Sequence, residues 1–118
     1  MPYKYQSADI TYSRFKKMVT SIDEFDDFIL YTRKMREVIP KLSNNRKSSA
    51  LLDAIWNMKQ NPIAGIKKAT NCTNVALNEA FGIPLRTVED WARGATKCPR
   101  YTSTMMAYIA FGDANLLF

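Results

Sequence analysis

Arg86, Glu89, Asp90 and Arg93 sit in one short run, LRTVEDWAR, and Lys97 and Arg100 follow in the loop sequence GATKCPRY. Guanidinium and carboxylate are side-chain types able to hydrogen-bond base edges, where arginine bonds guanine bidentately and a carboxylate accepts from the amino group of cytosine. Lysine and arginine in an adjoining loop suit phosphate oxygens, which fix position without reading sequence. Other chemistry finds little support. There is no histidine, and Cys72 and Cys98 form no CxxC pair, so neither a metal site nor a cofactor is expected. The carboxylates Asp23, Glu24, Asp26 and Asp27 are read as the first turn of a helix, where negative charge complements the dipole, and no enzyme activity is expected of them.

These groups need elements to hold them, and the sequence reads as all-α. Ser21 and Glu24 match an S-x-x-E capping box ahead of Phe25, Phe28, Ile29, Met35 and Ile39, with Pro40 as the stop. Residues 41–49, KLSNNRKSS, read as a polar connection, with Arg46 and Lys47 as solvated loop charges or a second phosphate contact. Leu51, Leu52, Ile55 and Met58 mark a second helix ending near Asn61-Pro62. Further helices are expected at 63–70, 73–81, 85–93 and about 103–111, the last closed by Gly112. Nothing alternates with period two for long enough to demand a strand. Residues 1–10 read as an ordered arm or a frayed end.

Within this series one junction is distinctive. Thr73 caps a helix whose apolar face is Val75, Ala76, Leu77 and Ala80, Gly82 supplies a positive φ, Ile83 plugs the gap, and Pro84 starts the next helix. Val88, Trp91 and Ala92 then face the core, leaving Leu85, Arg86, Glu89, Asp90 and Arg93 outward. Two helices joined by a glycine turn, the second with a polar outer face, make a helix-turn-helix whose second helix fits the major groove.

Residues 63–111 resemble the Cro and phage-repressor type of helix-turn-helix domain. Asn74, Leu77, Gly82, Ile83, Thr87, Val88, Trp91, Gly94 and Pro99 carry the likeness, which is nearest to short bacterial and prophage transcriptional regulators. The resemblance implies a lambda-repressor-like unit at 61–112; the N-terminal helical extension at 1–60, read as a possible dimerisation or partner-binding segment, and the apolar tail at 113–118 lie outside it. The resemblance also implies base-edge contacts from Pro84, Leu85, Arg86 and Asp90, and phosphate contacts from Asn74, Arg93, Lys97 and Arg100. Asn78 departs from the pattern, standing where a small alanine usually packs against the turn, and is expected to loosen the helix pair.

Charge and size agree with a polyanionic partner. The 118 residues are enough for one modest core, and the net charge is +6. The basic excess is spread over both halves, +4 in residues 1–60 and +2 in 61–118, so charge alone does not locate the partner's site. No membrane segment is expected, and with no apolar leader at the start and only two cysteines, a cytoplasmic location is. Double-stranded DNA is the expected partner, bound by a homodimer with Phe25, Phe28 and Tyr31 as candidate dimer surface. A second reading makes the chain a protein-interaction module, an antitoxin or phage-encoded factor whose N-terminal half binds a protein, with DNA contact secondary or lost; Glu89 and Asp90 favour it. Met105 and Met106 read as core filler. The tail, ANLLF, either docks on a partner subunit or folds back on its own core.

Overall fold

The computed structural model describes residues 10–39, 42 and 46–117. They form seven α-helices and no strand: α1 Tyr12–Ser21, α2 Phe28–Val38, α3 Arg46–Met58, α4 Pro62–Thr70, α5 Asn74–Phe81, α6 Leu85–Ala92 and α7 Arg100–Asp113, with a 3-10 turn at Ile22–Glu24. The protein is all-α. Of the supposed N-terminal arm, residues 1–9 lie outside the described residues, as do Pro40 and Phe118.

The helices begin and end on local chemistry. The Thr11 hydroxyl accepts from the Arg14 amide, capping an α1 that sequence reading passed over. Its residues Phe15, Met18 and Val19 are buried at helical spacing. The supposed capping box is not one. Ser21 is the last residue of α1, Glu24 ends the 3-10 turn, and Asp27 caps α2 by accepting from the Ile29 amide at 2.7 Å. The acidic group is therefore split, with Asp27 alone performing a capping role. Arg46 and Lys47 open α3 rather than lying in a loop, and both are exposed. α7 runs through Gly112, whose φ stays helical, and ends at Asp113.

At the centre lies α4, which packs on α3, α6 and α7. Gly65 makes the first of these approaches possible: a Cβ there would stand 2.8 Å from the Met58 nitrogen. α1 packs on α7, and the Tyr108 hydroxyl donates to the Ile10 carbonyl at 2.8 Å. Buried side chains on either side of residue 60, Leu51 and Ile55 before it and Ile63, Ile66 and Met106 after it, belong to one cluster.

Several apolar positions point differently from the sequence reading. Tyr31 is buried, its hydroxyl donating to the Met18 carbonyl, and Phe25 and Phe28 pack against the core, so the aromatic surface expected for a dimer is spent internally. Ile29 and Leu30 are the exposed apolar residues of α2, at 63% and 51%. Val75 and Met105 are likewise exposed rather than core. In the tail, Leu117 is buried and its carbonyl accepts from the Ile10 amide, so this segment folds back on its own core.

Candidate nucleic-acid interface

The α5–α6 junction follows from four residues. Thr73 accepts from the Ala76 amide to start α5, and Gly82 ends it at φ 68°, a conformation an L side chain adopts at a cost. Asn78 reaches across to the turn, its amide donating to the Ile83 carbonyl at 2.6 Å. It ties the turn where the sequence reading expected it to loosen the pair. Pro84, at φ −52°, then leads into α6 without needing an N–H of its own.

α6 has eight residues, too few to be stable alone in water. Its core side supplies part of the support: Val88 is buried, and Trp91 and Ala92 are half-buried against the same cluster. A second support comes from Asn61. Its side-chain oxygen caps α4 by accepting from the Ala64 amide, while its Nδ2 donates to the carbonyls of Trp91 at 3.2 Å and Ala92 at 3.0 Å. One side chain thus satisfies the start of one helix and the end of another. The N-x signal before Pro62 is a helix-start signature, but its partner thirty residues away is not written in the sequence.

The outer side of α6 carries Leu85, Arg86, Glu89 and Arg93, all exposed. Asp90 is turned between the two arginines. Its Oδ1 accepts from Arg93 Nη2 at 2.6 Å and from Arg86 Nε at 3.3 Å. The Arg93 hydrogen bond foremost, with the charge of Arg86 adding to it, holds the Asp90 carboxyl below the usual carboxylate range. Only 22% of the Asp90 side chain is exposed, against 79% for Arg86 and 61% for Arg93, so Asp90 is screened by the two guanidiniums while Glu89 stays exposed beside them.

Behind α6 the chain turns at Gly94, φ 80°, and the amides of Ala95 and Thr96 bond back to the Asp90 carbonyl. Lys97 is exposed on this loop. Arg100 opens α7 with its guanidinium turned toward the N-terminal half, donating to Asp23 Oδ2 at 2.8 Å and to the Val19 carbonyl at 3.2 Å. Tyr101, 70% exposed, stands next to it; the P-R-Y sequence held that signal, but the aromatic was not picked out as a contact. Asn74 is half-buried at the start of α5, its Oδ1 enclosed with no hydrogen-bond partner among the described residues.

The structure therefore brings Arg86, Asp90 and Arg93 together, with Pro84 and Leu85 exposed at the head of the same helix and Lys97 on the loop that follows. Asn74 sits on the neighbouring helix, and Arg100 faces Asp23. An open cleft of about 830 Å³ lies between the loop and the α3–α4 junction. Three of its polar linings are already bonded to protein: Asn61, Arg100, and Lys59, whose ammonium donates to the Phe25 carbonyl. No group of three or more metal-ligating side chains occurs among the described residues, and none of their helices is long and apolar enough to cross a membrane. No protein-family model, curated protein or solved structure matches the chain.

Proposed function

We propose that this protein is a sequence-specific, double-stranded DNA-binding protein of helix-turn-helix type, a transcriptional regulator of the bacterial or prophage kind. The observation that carries the reading is the display of α6: its apolar side is held by the core and by Asn61, while Arg86 and Arg93 stand out in solvent. A helix supported from behind, with two exposed guanidiniums on its polar outer face, fits the major groove. Arg86 meets guanine, Leu85 a thymine methyl, and Pro84 sets the helix's entry. Asp90, in this reading, lies at the same face.

Phosphate contacts supply most of the affinity and all of its steep salt dependence, with log K falling by roughly 0.9 per log salt for each phosphate neutralised. Arg93, Lys97 and Asn74 make these contacts, and Arg100 joins them by exchanging Asp23 for a phosphate. A single small module has limited surface, so binding as a dimer on half-sites about one helical turn apart completes the proposal.

Selection of bound molecules from a random duplex pool tests this. Enrichment of a motif, with Arg86→Glu abolishing retention of that motif while the far-ultraviolet spectrum stays helical, is the expected result. A pool that emerges unenriched contradicts it. The interaction-module reading draws on Ile29 and Leu30, exposed apolar residues of α2. An unenriched pool combined with self-association lost on Ile29→Asp would turn the account toward it.

A further inference from the structure

The carboxylate of Asp90 is an odd group to find on a face offered to phosphates, because its charge repels them. Its surroundings give it a different task. Both arginines of α6 bond to one and the same oxygen, Oδ1, and they do so from one turn before and about one turn after Asp90 along the helix. The backbone around Asp90 is pinned as well, since its carbonyl accepts from the amides of Ala95 and Thr96 in the loop that bears Lys97. A free arginine side chain samples many rotamers and loses that freedom on binding. A guanidinium already tied at one edge keeps its remaining N–H groups aimed outward, with less left to lose when it meets a base or a phosphate.

We infer that Asp90 is a positioning residue for DNA recognition: it holds Arg86 and Arg93 as a spaced pair of donors and itself makes no base contact. The inference rests on the DNA-binding reading of α6. It separates from simple electrostatics, because the two make opposite forecasts for removal of the carboxylate. If only charge mattered, losing a negative group beside the phosphates would tighten binding to every duplex. If Asp90 organises the arginines, losing it weakens binding to the selected duplex and erodes discrimination.

The test is a fluorescence-anisotropy titration of the full chain with the duplex enriched by selection and with a scrambled duplex of the same composition. For Asp90→Asn the expected result is an affinity for the selected duplex reduced about tenfold, the scale of one well-made base contact, with the scrambled duplex little changed. Asp90→Glu, which keeps a carboxylate within reach of both arginines, should recover part of the discrimination. Arginine side-chain N–H signals recorded without DNA give a second readout: the Hε of Arg86 and the Hη of Arg93 should be resolved in the wild-type chain and collapse to the averaged positions in Asp90→Asn. Equal tightening on both duplexes, unchanged affinities, or unaltered arginine signals would each overturn the inference. Failure of the wild-type chain to bind any duplex would instead remove the reading beneath it, and that is seen in the wild-type titration alone.

Discussion

α3 and α6 are both amphipathic, yet they put that pattern to opposite uses. α3 buries Ser48, Leu51, Leu52, Ala54, Ile55 and Met58, nearly half its length, against a neighbour that approaches within backbone distance at Gly65. α6 buries Val88 alone among its eight residues and leaves a row of polar groups in solvent. In α3 the side chains are the support. In α6 its own Val88 and half-buried Trp91 give only part of the support, and the rest comes from Asn61 and from the turn clipped by Asn78, while its outer face stays in solvent. Under the proposed function, stability and recognition fall to different helices, so a substitution should disturb one property or the other according to where it falls.

The largest effect should come from α3. Ile55→Ala removes a fully buried side chain and should cost about 2 to 5 kcal/mol in chemical denaturation, with any loss of DNA binding tracking the unfolded fraction. Next is the approach of α4 to α3: Gly65→Ala forces a methyl against the Met58 backbone and should cost about 1 to 3 kcal/mol, read as a lowered denaturation midpoint at unchanged slope.

Asn61 joins the two regimes, so its variants sharpen the comparison. Asn61→Ala deletes the α4 cap and should cost roughly 1 kcal/mol. Asn61→Asp keeps the cap but sets a carboxylate against the Trp91 and Ala92 carbonyls, so α6 should loosen, with faster amide exchange over residues 85–93.

pH separates the regions by sign. Burial pushes the Cys98 thiol up from 9.0 to about 11 and raises the Tyr31 hydroxyl too, so both favour the folded state only while protonated. Their contribution is complete below the ordinary values and is lost as pH rises; thermal melts should show stability falling between pH 9 and 11, less so in Cys98→Ala. Asp90 runs the other way. Its lowered pKa makes its contribution present above 3.8 and lost as pH falls through the lower folded value, releasing the arginines while the core's thiol and phenol stay neutral. The smallest stability effect belongs to Arg86→Ala, within about 0.5 kcal/mol of wild type, although it should sharply weaken the selected duplex.

How much of this was legible varies with the range of the interaction. The boundaries of α4, α5 and α6 fall within a residue of expectation because Asn61-Pro62, Thr73, Gly82 and Pro84 are local signals that act on their own neighbours. α1 was equally local, with Thr11 ahead of Phe15, Met18 and Val19, but an S-x-x-E pattern at Ser21 drew the helix start past it. That match was accidental: Asp27 sits closer to the next apolar run and takes the cap. What the sequence could not disclose is pairing across distance. Asn61 with α6, Arg100 with Asp23 and Tyr108 with Ile10 join residues thirty to ninety-eight positions apart, and nothing in their flanks announces the partner. The pairing of Asp90 with Arg86 and Arg93 is legible from i, i+3 and i, i+4 spacing, yet outward-facing charges on a helix of this type read equally well as three separate contacts to a ligand.

The central claim, that α6 is the surface that meets DNA, is tested most directly by a residue-resolved amide titration of the isotope-labelled wild-type chain with the selected duplex at two salt concentrations. Shifts concentrated in residues 84–101 and diminished at the higher salt are the predicted outcome. Shifts gathered on α2 around Ile29 and Leu30, with residues 84–101 unmoved, would contradict it.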